Sequence, residues 1–176
     1  MSMAALLKEL QTYLEADLVT DKEYLVTVQV IDMFRLGDII QNNWMPGCFI
    51  SPINEDERRG PFANASRQAY NLRLRLVAQD WQTEAYTIEP VSGSPTNVNL
   101  SVVIKRIKLL LKERKKLLTD TFEFSQKFQV TYMNVLETPD NGNFTVRDIL
   151  IEYTELELDT GMTNNQDSLN PAYQFE

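Results

Sequence analysis

A basic amphipathic helix, followed directly by a long β-hairpin pattern, constrains this chain more than any other feature. The helix reads over residues 98–118. Leu100, Val103, Ile104, Ile107, Leu110, Leu111, Leu117 and Leu118 recur there at helical spacing and make one apolar face. Lys105, Lys108, Lys112, Lys115 and Lys116 gather on another. Between positions 105 and 116 seven cations are opposed only by Glu113, so the segment carries +6; the whole chain is −8, and the remainder therefore sums to −14. Charge segregated in this way points to a surface built to face a partner, a neighbouring copy or a polyanion.

The hairpin begins where the helix stops. Phe122, Phe124, Phe128, Val130, Tyr132 and Leu136 fall on one strand face, with Glu123, Ser125, Lys127, Gln129 and Thr131 on the other. Pro139, Asp140, Asn141, Gly142 and Asn143 form a turn signal, and residues 144–158 return as a strand. The contiguous Ile149, Leu150 and Ile151 predict cover on both faces, or a bulge. The aromatic stripe reads as core.

Upstream, residues 3–17 read as a first helix, with Met3, Leu6, Leu7, Leu10, Tyr13 and Leu14 on one face. Residues 24–31 read as a short strand. Residues 67–81 alternate: Tyr70, Leu72, Leu74 and Leu76 point one way, and Asn71, Arg73 and Arg75 the other. Thr96 or Asn97 is the expected N-cap of the basic helix. Between the first two strands, residues 32–67 are broken by Pro46, Pro52, Pro61, Gly37, Gly47 and Gly60, with a short strand expected at 48–50. Residues 54–66 read as an exposed, mobile loop, and loops of that length are often functional. From Asp159 onward the chain is polar and reads as a tail that stays disordered until something holds it. The expected fold is α+β: a mainly antiparallel sheet with two helices packed on it, a long mobile loop, and an extended C-terminal tail. One domain is expected over 1–158, with the tail at 159–176.

Chemistry is narrowed by what the chain contains. It has no histidine, which removes Ser-His-Asp and Cys-His catalysis and most transition-metal sites. Cys48 is the single cysteine, so no internal disulfide can form. The six glycines have neither Walker nor Rossmann spacing. No apolar run is long enough to span a bilayer, and Lys8 and Glu9 interrupt the opening apolar run. A cytoplasmic origin is therefore expected, and the sequons at Asn64, Asn99 and Asn143 carry little meaning there. Carboxylates alone remain for catalysis or a hard cation. Glu155, Glu157 and Asp159 share one strand face and read as solvated rather than metal-binding. Glu55, Asp56 and Glu57 run straight into Arg58 and Arg59 and read as a solvated loop. Neither an enzyme nor a cofactor nor a metal is expected.

The basic helix supports three readings: a solvated face, a contact with an acidic surface, or phosphate binding. For the second, residues 148–176 hold seven acids and no base. Against the third, the chain is acidic overall and the lysines are not interleaved with exposed aromatics. Arg114 falls within the apolar face, which implies either snorkelling or a carboxylate partner across an interface. Trp44, Met45 and Phe49, in a broken stretch, are candidate interface anchors. Tyr173 and Phe175 end the polar tail, consistent either with an arm that docks on a neighbour or with an untethered end. Candidate contacts are thus Lys105, Lys108, Lys112, Lys115, Lys116, Arg114, Arg58, Arg59, Trp44, Tyr173 and Phe175.

The order of these elements resembles the tail-terminator and head-to-tail joining proteins of long-tailed bacteriophages. The resemblance rests on the N-terminal amphipathic helix LLKELQTYL and on Asp38-Ile39-Ile40 leading through Pro46-Gly47-Cys48-Phe49-Ile50-Ser51-Pro52. It continues through the 67–81 strand, the helix carrying Val103, Ile104, Ile107 and Leu110, and the closing hairpin. It covers residues 3–158. The family implies a homo-hexameric ring that caps the tail tube and joins it to the neck, within a virion assembled in a host cytoplasm. Tail-tube and neck proteins would be its partners, with a sheath protein if the tail contracts. DNA would pass through without specific binding. The 54–66 loop and the tail after 159 depart from shorter members.

Overall fold

The computed structural model describes residues 3–59, 65–79, 100–118, 121–131, 134–138 and 142–158. Helix α1 (Met3–Glu15) buries Leu6, Leu7, Leu10 and Leu14, the apolar stripe its spacing predicts. A π-helical turn, Ala16–Asp21, extends it and buries Leu18. Strand β1 (Thr27–Val30) leads to a short helix α2 (Leu36–Gln41). Two long strands follow, β2 (Gly47–Arg59) and β3 (Ala65–Gln79). Helix α3 (Leu100–Glu113) then precedes β4 (Lys116–Leu117), β5 (Phe122–Val130), β6 (Asn134–Thr138) and β7 (Gly142–Leu158).

The seven strands form one sheet in the order β1-β2-β3-β7-β5-β4, with β6 also pairing on β7. Only β1 and β2 run parallel; every other pair is antiparallel. One face carries the main core. Cys48, Ile50, Tyr70, Leu72, Leu74, Leu76, Ile149, Ile151 and Tyr153 point there, against α1 and α3. Helix α1 touches β1 and β2 at one edge and β4 at the other, so the sheet curls around it. On the opposite face a smaller cluster joins Ile39 of α2 to Phe49, Val77 and Val146. Both helices expected from sequence therefore pack on the sheet, and α2 adds cover on the other side.

The structure departs from the sequence reading in several places. Residues 54–59 and 65–66, expected in a mobile loop, belong to the paired strands β2 and β3, where the register shifts between Pro52 and Asn54 and then sets Asn54 opposite Asn71 and Arg58 opposite Arg67. The strand expected at 48–50 is only the beginning of β2. Ladder hydrogen bonds are made by backbone, so a polar stretch with no apolar alternation still forms a strand when a partner strand lies beside it. Helix α2 was not expected, because a segment of six residues is too short to show a helical period. The strand expected to run from 122 to 136 breaks into β5 and β6. A bulge between Phe124 and Phe128, with Gln126 at φ 63°, bends the first of these. The basic helix ends at Glu113, and Leu117 is buried from β4 instead. Strand β7 lies between β3 and β5. It pairs with β3 over Phe144–Leu158 without a break, so Ile149 and Ile151 are buried on the helical face and Leu150 is half-buried on the other. The tail from 159 and the expected N-cap at 96–97 lie outside the described residues.

Candidate docking face on the basic helix

Helix α3 is anchored by Leu100, Val103, Ile107, Leu110 and Leu111, all buried. Their three- and four-residue spacing fixes which side of the helix faces outward. Lys105, Lys108 and Lys112 are exposed on that outer side, and Lys115 and Lys116 continue the exposed run through β4. Two apolar side chains stand among them: Val102, 37% exposed, and Leu109, 45% exposed. Among the described residues only five large hydrophobic side chains are exposed, and this face holds two of them.

The cations of this segment have separate roles. The Arg106 guanidinium grips Asp17 in a bidentate ion pair, Nε donating to Oδ1 at 2.9 Å and Nη2 donating to Oδ2. That hydrogen bonding holds the Arg106 pKa well above its ordinary value. Arg114 Nη2 donates to Glu9 Oε1 at 2.8 Å, with its guanidinium carbon 5.0 Å from the Tyr13 ring centroid. The same Glu9 oxygen accepts from the Leu118 amide at 3.1 Å, steadying a residue held at φ 50°. The Tyr13 hydroxyl donates to the Leu110 carbonyl at 2.8 Å, an acceptor it shares with the Arg114 amide at 3.0 Å, and so ties α1 to the end of α3. Burial, followed by the nearby Glu113 charge, raises the Tyr13 pKa. Arg106 and Arg114 therefore fasten α3 and the residue after it to α1 and its π-helical extension. The unusual position of Arg114 is explained by a partner within the same chain.

The lysines are used differently. Lys108 Nζ sits 5.4 Å from the Phe128 ring centroid. Among the described residues no salt bridge engages Lys105, Lys108, Lys112, Lys115 or Lys116. Lys105, Lys108 and Lys112 make a basic face beside exposed Val102 and Leu109, on a helix whose opposite side is fixed in the core.

The acidic complement expected at 148–176 is partly consumed by the fold. Asp148 accepts from Arg75 Nε and Nη2, both at 2.7 Å, and lies 3.6 Å from Arg73 Nε. Lys127 Nζ donates to Glu152 at 3.2 Å. Glu155, expected on a solvated strand face, is buried on the helical side of the sheet and accepts from the Tyr70 hydroxyl at 2.8 Å. Desolvation is tolerable there because the carboxylate has hydrogen-bond partners. No cluster of three metal-ligating side chains forms among the described residues.

Other candidates sort as follows. Trp44 and Met45 are half-buried and pack on the α2 cluster, and Phe49 is fully buried within it, so all three serve that second core. A Cβ at Gly47 would collide with the Trp44 carbonyl and the Phe49 ring, which explains glycine at the start of β2. Arg58 and Arg59 lie in β2, opposite Arg67 and Ser66. Tyr173 and Phe175 lie outside the described residues. Phe122 and Phe124 are buried and Phe128 packs against them, so the stripe is core as expected; Tyr132 lies outside the described residues. Sequence reasoning missed Glu9 and Asp17. Each meets its arginine across about a hundred residues of chain, and no local spacing marks such a pair. On the other face of the sheet, a concavity of about 290 Å³ is lined by Asn54, Asp56, Asn71, Lys127 and Gln129 with Ile53, Leu150 and Ile151. The amides of Asn54 and Asn71 donate there to Asp56.

No family model and no curated protein matches this sequence. Among solved structures, the chain is similar to a chain of the virion of a native gene transfer agent particle. The identity is 9%, covering 86% of this chain and 96% of that one, with a TM-score of 0.41. A likeness of that size does not establish a shared fold.

Proposed function

We propose that this chain is a structural protein of a phage-like virion: a tail terminator, non-enzymatic, that forms a homo-hexameric ring, caps the tail tube and joins it to the head or neck. The observation that carries the reading is an exposed run of five lysines, Lys105, Lys108 and Lys112 on α3 and Lys115 and Lys116 just after it, beside exposed Val102 and Leu109 and without an intrachain salt bridge among the described residues. A helix fixed on one side by Arg106 and Arg114 and open on the other is suited to docking. A closed ring needs two unlike, complementary patches on each subunit, and strongly segregated charge supplies one of them. The first helix, the basic helix and the closing antiparallel strands occur in the order that the tail-terminator resemblance implies, which supports the reading. On this reading the tail-tube and neck proteins are the partners, a sheath protein joins them in a contractile tail, and DNA passes without specific binding.

The test combines light scattering with negative-stain imaging of the purified protein, alone and mixed with tail tubes. Rings near six subunits, or capped tubes of uniform length, support the reading. A chain that stays monomeric at high concentration and leaves tubes unbound overturns it. The same five lysines favour a second reading, an adaptor for nucleic acid. That reading requires affinity falling steeply with salt and lost when three of the lysines become glutamate.

A further inference from the structure

We infer that the lysine face of α3 is the docking site of the chain's own C-terminal segment, residues 159–176. This does not depend on the ring. Three observations converge. First, three of the four acids of β7 are already engaged: Asp148 by Arg75, Glu152 by Lys127, and Glu155 by Tyr70. Residues 159–176 still carry Asp159, Asp167 and Glu176, with no cation from 148 to 176. Second, that stretch has Leu169, Tyr173 and Phe175 to set against Val102 and Leu109.

Third, the register brings the two together. Lys116 pairs with Glu123, and Glu123 with Thr154. Neighbouring strands lie about 4.8 Å apart, so Lys116 is roughly 10 Å across the sheet from β7. Strand β7 ends four residues later, at Leu158, and the chain leaves roughly 16 Å from Lys116 by the same strand geometry. Helix α3 is about 21 Å long, well within the span of 18 extended residues, about 60 Å. Tethering this close corresponds to an effective concentration of order mM. Contacts too weak to join two free molecules are then populated within one. That argument selects the chain's own segment over a neighbour's. A partner arriving at α3 would have to displace it.

The test is zero-length carbodiimide cross-linking of the full chain, using a mixture of unlabelled and 15N-labelled protein and reading the linked peptides by mass spectrometry. The Lys127–Glu152 pair, at 3.2 Å, is the internal control. The expected result is a set of links from Asp159, Asp167 or Glu176 to Lys105, Lys108, Lys112, Lys115 or Lys116, each wholly light or wholly heavy. Links of mixed isotope would place a second copy's segment on the helix and overturn the assignment. So would a digest that contains the control link but no tail-to-α3 links.

Discussion

The Arg106–Asp17 clasp makes the sharpest prediction, because the charge pattern alone implies the opposite. Read as one more cation on a basic run, Arg106 would be exposed, and its loss would change stability by less than about 0.5 kcal/mol. The structure instead shows it three-quarters buried against a carboxylate that is 14% exposed, with two charge-assisted hydrogen bonds. Exposed pairs contribute about 0.2–1 kcal/mol, whereas hydrogen bonds to charged groups in partly buried settings contribute about 1.5–3 kcal/mol. Arg106→Gln should therefore cost about 2 kcal/mol, much of it from stranding Asp17. Asp17→Asn should cost a similar amount, and the double variant much less than the sum, leaving a coupling of about 1–2 kcal/mol. For a chain of this size, 2 kcal/mol lowers Tm by roughly 4–8 °C. Urea titration of the four proteins, with unchanged slopes, measures the cycle. A coupling below about 0.5 kcal/mol would refute the assignment of Arg106 to the clasp. Lys105→Glu, Lys112→Glu and Lys116→Glu serve as comparison, and each should leave stability within about 0.5 kcal/mol of the parent.

Further outcomes follow from buried groups. The Tyr153 hydroxyl is buried without a hydrogen-bond partner among the described residues, so Tyr153→Phe should leave stability unchanged or raise it by about 1 kcal/mol in thermal melts. Desolvation raises the Tyr153 and Tyr13 pKa values above the ordinary tyrosine value. A raised folded-state pKa contributes stability that is complete below about pH 10, the unfolded value, and is lost as pH climbs toward the folded value. Stability should therefore decline above about pH 10, less steeply in Tyr153→Phe; a pH series of melts checks this. Burial pushes the Cys48 thiol up to about 12, so a thiol reagent at neutral pH should react only as fast as the chain unfolds. Ile107 is fully buried between α3 and the sheet, and Ile107→Ala should cost about 2–5 kcal/mol by denaturant titration.

The legible parts of the molecule were those whose energetics are periodic. Leu72, Leu74 and Leu76 alternate because one face of β3 meets α1 and α3. Val103, Ile107 and Leu110 recur because one side of α3 meets the sheet. Burial of apolar area writes its period into sequence, whichever residues lie opposite. Three features escaped because their stabilisation has no period. The β2–β3 extension is held by backbone pairing between polar residues, and its side chains carry no pattern to read. Helix α2 rests on the burial of Ile39 against Phe49 and Val146, contacts that do not exist until the sheet forms.

The clasp is the most instructive of the three. Arg106 and Lys105 are adjacent in one charge run, yet one closes on Asp17 and the other stays in solvent. A single helical step, about 100°, separates a residue turned toward α1 from one turned away. Net charge over the run therefore overstates the surface available to a partner: Arg106 closes on Asp17, Arg114 gives a hydrogen bond to Glu9, and the five lysines remain. A partner of α3 then meets mainly point-like ammonium groups beside exposed Val102 and Leu109, because the planar, bidentate guanidinium fork of Arg106 is already occupied. That favours flexible carboxylates with apolar neighbours over a rigid phosphate lattice, and it makes the nature of the docked group a consequence of how α3 is fastened.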